Sequence, residues 1–185
     1  MATRLGMVFY RDRGDEYIVR DFDFDANISK VQENLSAQSA NGGGDFEEAV
    51  DEALESAVFQ QRWTEGLATR IMFMILDAPP HHDPQKLKSI QHSVRVASEK
   101  GIALIPVVAS GINKETEFLM RFMAMRTNGT YVFLTDHSGI GNPHLKPTVG
   151  QYNVEYLNTL MLRLIRKYAG LGETSEKEML TLFAK

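Results

Sequence analysis

A carboxylate that ends an apolar strand has to meet water, a donor or an ion, and Asp77 closes the run Thr69 to Leu76, TRIMFMIL. Asp45 and Glu48 stand three apart just after Asn41-Gly42-Gly43-Gly44. Two readings fit that spacing: a capping box with Asp in place of Ser or Thr, and a pair of hard oxygen ligands for a divalent cation. Ser110 and the segment Asp136-His137-Ser138 each follow an apolar run, so they join Asp77 at the ends of strands. His81-His82-Asp83 reads as a solvated loop, because adjacent side chains diverge in extended backbone and imidazole suits zinc better than the hard ion the carboxylates imply.

Other chemistries have no residues to carry them. The chain has no cysteine, which removes disulfides, thiolate metal sites and cysteine nucleophiles. Its net charge of −4 gives no basic footprint for nucleic acid. No run approaches the roughly 18 apolar residues of a membrane span, and the N-terminal segment has no apolar stretch of signal-peptide length. The compartment stays open. Gly42 to Gly44 lack the Lys-Ser/Thr of a phosphate cradle, and no G-x-S-x-G elbow is present. Arg13-Gly14-Asp15 reads as a hairpin turn, which requires such residues anyway.

The elements that position these groups follow from periodicity. Residues 5–10 and 16–22 predict a hairpin, and 28–35 a short helix capped by Asn27. A second helix is predicted from Asp45, with Ala49, Leu54, Ala57 and Val58 on its buried side. Strands at 69–76, 102–108 and 131–134 alternate with helices at 84–100, 114–127 and 154–168, and a polar loop covers 136–150. The pattern predicts an α/β fold, a doubly wound, Rossmann-like and mostly parallel sheet with an antiparallel edge hairpin, whose site lies at the strand C-terminal ends. One domain is expected over 1–170, followed by a tail over 171–185.

The segment Asn41-Gly-Gly-Gly-Asp45-Phe-Glu-Glu48-Ala49-Val, then a helix, then a buried strand ending Leu76-Asp77-Ala78-Pro79-Pro80-His81, resembles a von Willebrand factor A domain of the bacterial GGGD type. The resemblance runs from about Arg4 to Gly170. It implies a metal-ion-dependent adhesion site for Mg²⁺ or Mn²⁺, with Ca²⁺ as a third candidate, in which Asp77 matches the third-loop aspartate, Glu48 the acidic second-loop ligand, and Asp45 a neighbouring candidate. His81, Ser110, Asp136 and Ser138 would border the ligand-binding rim. The family's first strand and its D-x-S-x-S loop have no counterpart, since the chain opens at the hairpin. Weak or absent divalent-ion binding is therefore expected. Asp136-x-Ser138 carries the D-x-S of the missing loop but is not expected to replace it, being two strands, about 10 Å, from Asp77.

The implied function is a non-enzymatic, adhesion-type module that offers its ion to an acidic group on a protein ligand. Two alternatives stand beside it: a metal-assisted hydrolase using Asp77, His81, Asp136 and His137, and a structural domain that binds partners without metal. The family's sheet order places the absent strand between 5–10 and 69–76. The chain is then expected either to pair those two strands directly or to self-associate through their unpaired edges.

Overall fold

The computed structural model describes residues 2–42, 46–109, 112–134 and 155–172. Alternating and apolar runs form the predicted strands, except that the second lies at 19–25, three residues later than the predicted 16–22, and the last is shortened to 132–133. β1 (Leu5–Tyr10) pairs antiparallel with β2 (Val19–Asp25), Tyr10 opposite Val19 and Met7 opposite Phe22. The turn between them relies on Gly14, whose φ of 98° suits a residue without a β-carbon. Within it Asp12 N donates to Asp15 Oδ2 at 3.2 Å, so Arg13-Gly14-Asp15 is a structural turn as expected. α1 (Ile28–Ser36) follows, and the Asn27 side chain accepts from Lys30 N as its cap.

The next helix begins later than predicted. α2 (Val50–Glu55) starts five residues after Asp45, and it passes into a π-helical turn over Ser56–Gln60. Glu48 N instead donates to Pro79 O at 2.9 Å, and Glu48 forms an isolated parallel bridge with Pro80. The capping-box reading of Glu48 is therefore overturned: that residue lies before the helix, tied to the loop after the next strand, and α2 has no side-chain cap.

β3 (Arg70–Leu76), β4 (Ile102–Val108) and β5 (Val132–Phe133) form a parallel sheet in that order, linked by α3 (Pro84–Glu99) and α4 (Lys114–Arg126). Successive side chains alternate between faces, and the core divides accordingly. Met72, Met74, Leu76, Ile102, Leu104 and Val108 pack with Val50, Leu54, Ile90, Val94, Met120 and Met123 from α2, α3 and α4. Ile71, Phe73, Ile105 and Val107 face the other way, toward Leu157, Leu160 and Leu164 of α5 (Leu157–Tyr168). Helices thus cover both faces of the parallel sheet, which explains a β4 that is buried at every residue.

The hairpin is not part of that sheet. β1 and β2 make a separate two-stranded sheet, and β1 has no ladder with β3, so the expected direct pairing of 5–10 with 69–76 is not made. The fold is mixed α/β, with a three-stranded parallel and a two-stranded antiparallel sheet. The predicted loop over 136–150 and the tail from 173 lie outside the described residues.

Candidate functional site

Parallel strands present their C-terminal ends on one rim, where Tyr10 of β1 and Asp77 after β3 now stand. The Glu48–Pro80 bridge brings the segment before α2 alongside the segment after β3. Two predicted carboxylates, Glu48 and Asp77, are thereby gathered around Tyr10. Burial of the Tyr10 hydroxyl, reinforced by the nearby negative charges of Glu48 and Asp77, pushes its ionisation well above the ordinary tyrosine value. The phenol stays protonated and donates to Ile75 O at 3.2 Å. Asp77 itself is exposed, and Glu48 is half-buried.

A second group lies beside the first. Short extended backbone sends neighbouring side chains to opposite sides, and Glu47 accordingly meets the histidines while Glu48 acts on Tyr10. His81 Nε2 is 2.6 Å from Asp12 Oδ1, and His81 Nδ1 is 3.0 Å from Glu47 Oε2. His82 Nδ1 reaches Glu47 Oε1 at 3.2 Å. Burial works against protonation of His81, but its hydrogen bonds to Asp12 and Glu47 outweigh that and hold its pKa above the ordinary value. His81 is 15% exposed at its side chain and His82 37%. The expectation of a solvated His81-His82-Asp83 loop thus fails for His81, which the hairpin turn packs against. Asp83 has its own task, capping α3 by accepting from Gln85 N and Lys86 N.

Behind this cluster Arg13 of the turn is ion-paired with Glu52 of α2. Asp51 is buried, and its pKa is pushed up to about 6 by burial and by the hydrogen bond it shares with Glu52. For Glu52, burial acts in the same upward direction, yet the bonds from Asp51 and Arg13 prevail and bring it down to about 2. Asp51 Oδ1 and Glu52 Oε2 are buried oxygens with no other donor, so a single proton held between them satisfies both. The pair and its arginine fasten the hairpin turn to α2.

Of the predicted site residues, the structure brings together Glu48, Asp77 and, through Glu47, His81. Asp45, Ser110, Asp136, His137 and Ser138 lie outside the described residues. Among the described residues, no group of three or more His, Asp or Glu side chains converges to hold a metal ion. Sequence reasoning did not single out Tyr10, Asp12 or Glu47. Their contacts span 65, 69 and 34 residues of chain, and local periodicity carries no signal at such separations. Among the described residues no helix is long and apolar enough to cross a membrane. The chain matches no protein-family model and no curated protein sequence.

Proposed function

We propose that the chain is a protein-binding module of the von Willebrand factor A type, whose binding face is the rim carrying Glu48 and Asp77. The supporting observation is the Glu48–Pro80 bridge, which holds the segment carrying Glu48 beside the one that follows Asp77, so that the charges of both carboxylates oppose ionisation of the half-buried Tyr10. Two like charges beside a group that cannot ionise gain from a cation between them. Hard carboxylate oxygens suit Mg²⁺ or Mn²⁺, which keep several waters, and Glu48 and Asp77 would hold the ion, with Asp45 as a further ligand. When bound, such an ion offers an open coordination position to a carboxylate on a protein ligand. Two described carboxylates are a sparse ligand set, so the affinity of this chain is expected to be weak.

The hydrolase alternative has less support. Both ring nitrogens of His81 are engaged by carboxylates, which leaves neither for a substrate proton. Titration of Mn²⁺, followed through the electron-paramagnetic resonance of the free ion, tests the metal reading. Weak, saturable loss of the free-ion signal that disappears in Asp77→Ala supports it. Equal uptake by wild type and Asp77→Ala contradicts it.

A further inference from the structure

The two helices that link the parallel strands differ in what they show to solvent. Both bury an apolar stripe against the same side of the sheet: Ile90, Val94 and Ala97 of α3, and Met120, Met123 and Ala124 of α4. The outer face of α3 is polar, with Lys88, Gln91, His92, Arg95 and Glu99 exposed. That of α4 is apolar. Phe118 is 73% and Met125 71% exposed, and the half-buried Phe122 lies between them. At about 100° per residue these three fall within about 60° of one another, opposite the buried stripe, so they are the outermost part of the helix. A helix that is apolar all round belongs in an interior, yet α4 holds this face in water.

The charges beside the stripe indicate what covers it. One flank holds Lys114 and Arg121, both ion-paired with the buried Glu117. The other flank carries Glu115 at the N-terminal end and Arg126 at the C-terminal end, eleven residues and hence about three turns apart. Glu115 is 79% exposed at its side chain, with a long contact of 3.5 Å to His82, and Arg126 is exposed. An anion and a cation at opposite ends of one flank are self-complementary when the helix meets an antiparallel copy of itself.

We propose that the outer face of α4 is a homodimer interface, in which two copies of this chain pack α4 against α4, antiparallel about a two-fold axis near Arg121. That axis sets Phe118 between Phe122 and Met125 of the second copy, where a thioether against an aromatic edge is favourable. It also sets Glu115 beside Arg126 of the second copy, once on each side of the axis. Parallel packing would oppose Glu115 to Glu115 and Arg126 to Arg126, which the charges disfavour. An anionic membrane suits the stripe less, since Glu115 borders it and the chain carries a net charge of −4. One helix face is smaller than the roughly 800 Å² per partner of a standard complex, so the dimer is weak and reversible. The inference stands independently of the metal reading, since none of these residues is a proposed ligand, and it leaves the edges of β1 and β3 unused.

Sedimentation equilibrium of the full chain at low salt, from about 10 to about 500 µM, tests it. The weight-average mass should rise with concentration toward twice the monomer value, and Phe118→Glu should hold it at the monomer value. Arg126→Glu sets an acid against Glu115 on both sides of the axis and should weaken association about tenfold, while Glu115→Arg combined with Arg126→Glu should restore it. All three positions are exposed, so circular dichroism should be unchanged in each variant. A chain that stays monomeric over the whole range overturns the proposal. So does a dimer that persists in Phe118→Glu, which would place association at another face such as a strand edge, and so does a double variant no tighter than Arg126→Glu alone.

Discussion

Replacing Asp51 by Asn should stabilise the protein at neutral pH, and the structure sets the size of the effect. Asp51 ionises at about 6 instead of its ordinary 3.8, so holding its charge in the folded state at pH 7.5 costs about 3 kcal/mol, at about 1.36 kcal/mol per pH unit. Asn keeps the shape and supplies a permanent N–H where the shared proton sits, so Glu52 Oε2 keeps its donor. The sign follows from linkage. Asp51 is raised, so its contribution is complete below about pH 3.8 and is lost as pH rises through about 6. Glu52 is lowered, so its contribution is complete above its ordinary 4.5 and is lost as pH falls through about 2. The pair therefore favours folding most near pH 4, and declines toward pH 6. Asp51→Asn should match wild type near pH 4 and exceed it by about 1 to 3 kcal/mol at pH 7.5, the desolvation of Asn itself reducing the full figure. Urea unfolding followed through Trp63, the single tryptophan, reads this directly. A variant equal to or weaker than wild type at pH 7.5, with an unchanged pH profile, would refute the shared proton.

Three further outcomes are expected. His81→Gln removes the cation that faces buried Asp12 and should cost on the order of 3 kcal/mol at pH 6. Because His81 is raised, that cost should be full below about 6.5 and shrink as pH rises past its folded value, which unfolding at pH 6 and pH 9 would measure. Gly129→Ala places a β-carbon 1.7 Å from Leu104 O, inside the backbone of the central strand, and should lower stability by about 3 kcal/mol or more in thermal unfolding. Gln61→Met removes an unpartnered amide and should stabilise the chain alone by about 1 to 3 kcal/mol in urea.

The elements were legible in the sequence where local rules govern them. Apolar runs at 69–76 and 102–108 became β3 and β4, Asn27 caps its helix, and Gly14 turns the hairpin. The start of α2 was not legible, because Asp45 and Glu48 satisfy a capping pattern while Glu48 is claimed by Pro79 in a loop about thirty residues away. The gap between the two sheets followed only from the family resemblance, whose sheet order leaves a strand out between 5–10 and 69–76. Strand propensity says that residues 5–10 want partners on their edges, and nothing local says which edge stays empty. At the site, Asp77 was readable from the strand it ends. Tyr10 and Asp12 were not, since each reaches from the hairpin to the segment at the end of β3, and Glu47 was not, since its partner His81 lies 34 residues further on.

Substoichiometric Mn²⁺ added to the ¹⁵N-labelled chain tests the rim most directly, because paramagnetic broadening locates even a weakly held ion. Broadening confined to the amides of residues 46–48 and 77–78 and to Tyr10, and abolished by Asp77→Ala, is the predicted result. Broadening centred instead on Asp12, His81 and Glu47, or spread evenly over surface carboxylates, would contradict the assignment of Glu48 and Asp77 as the binding face.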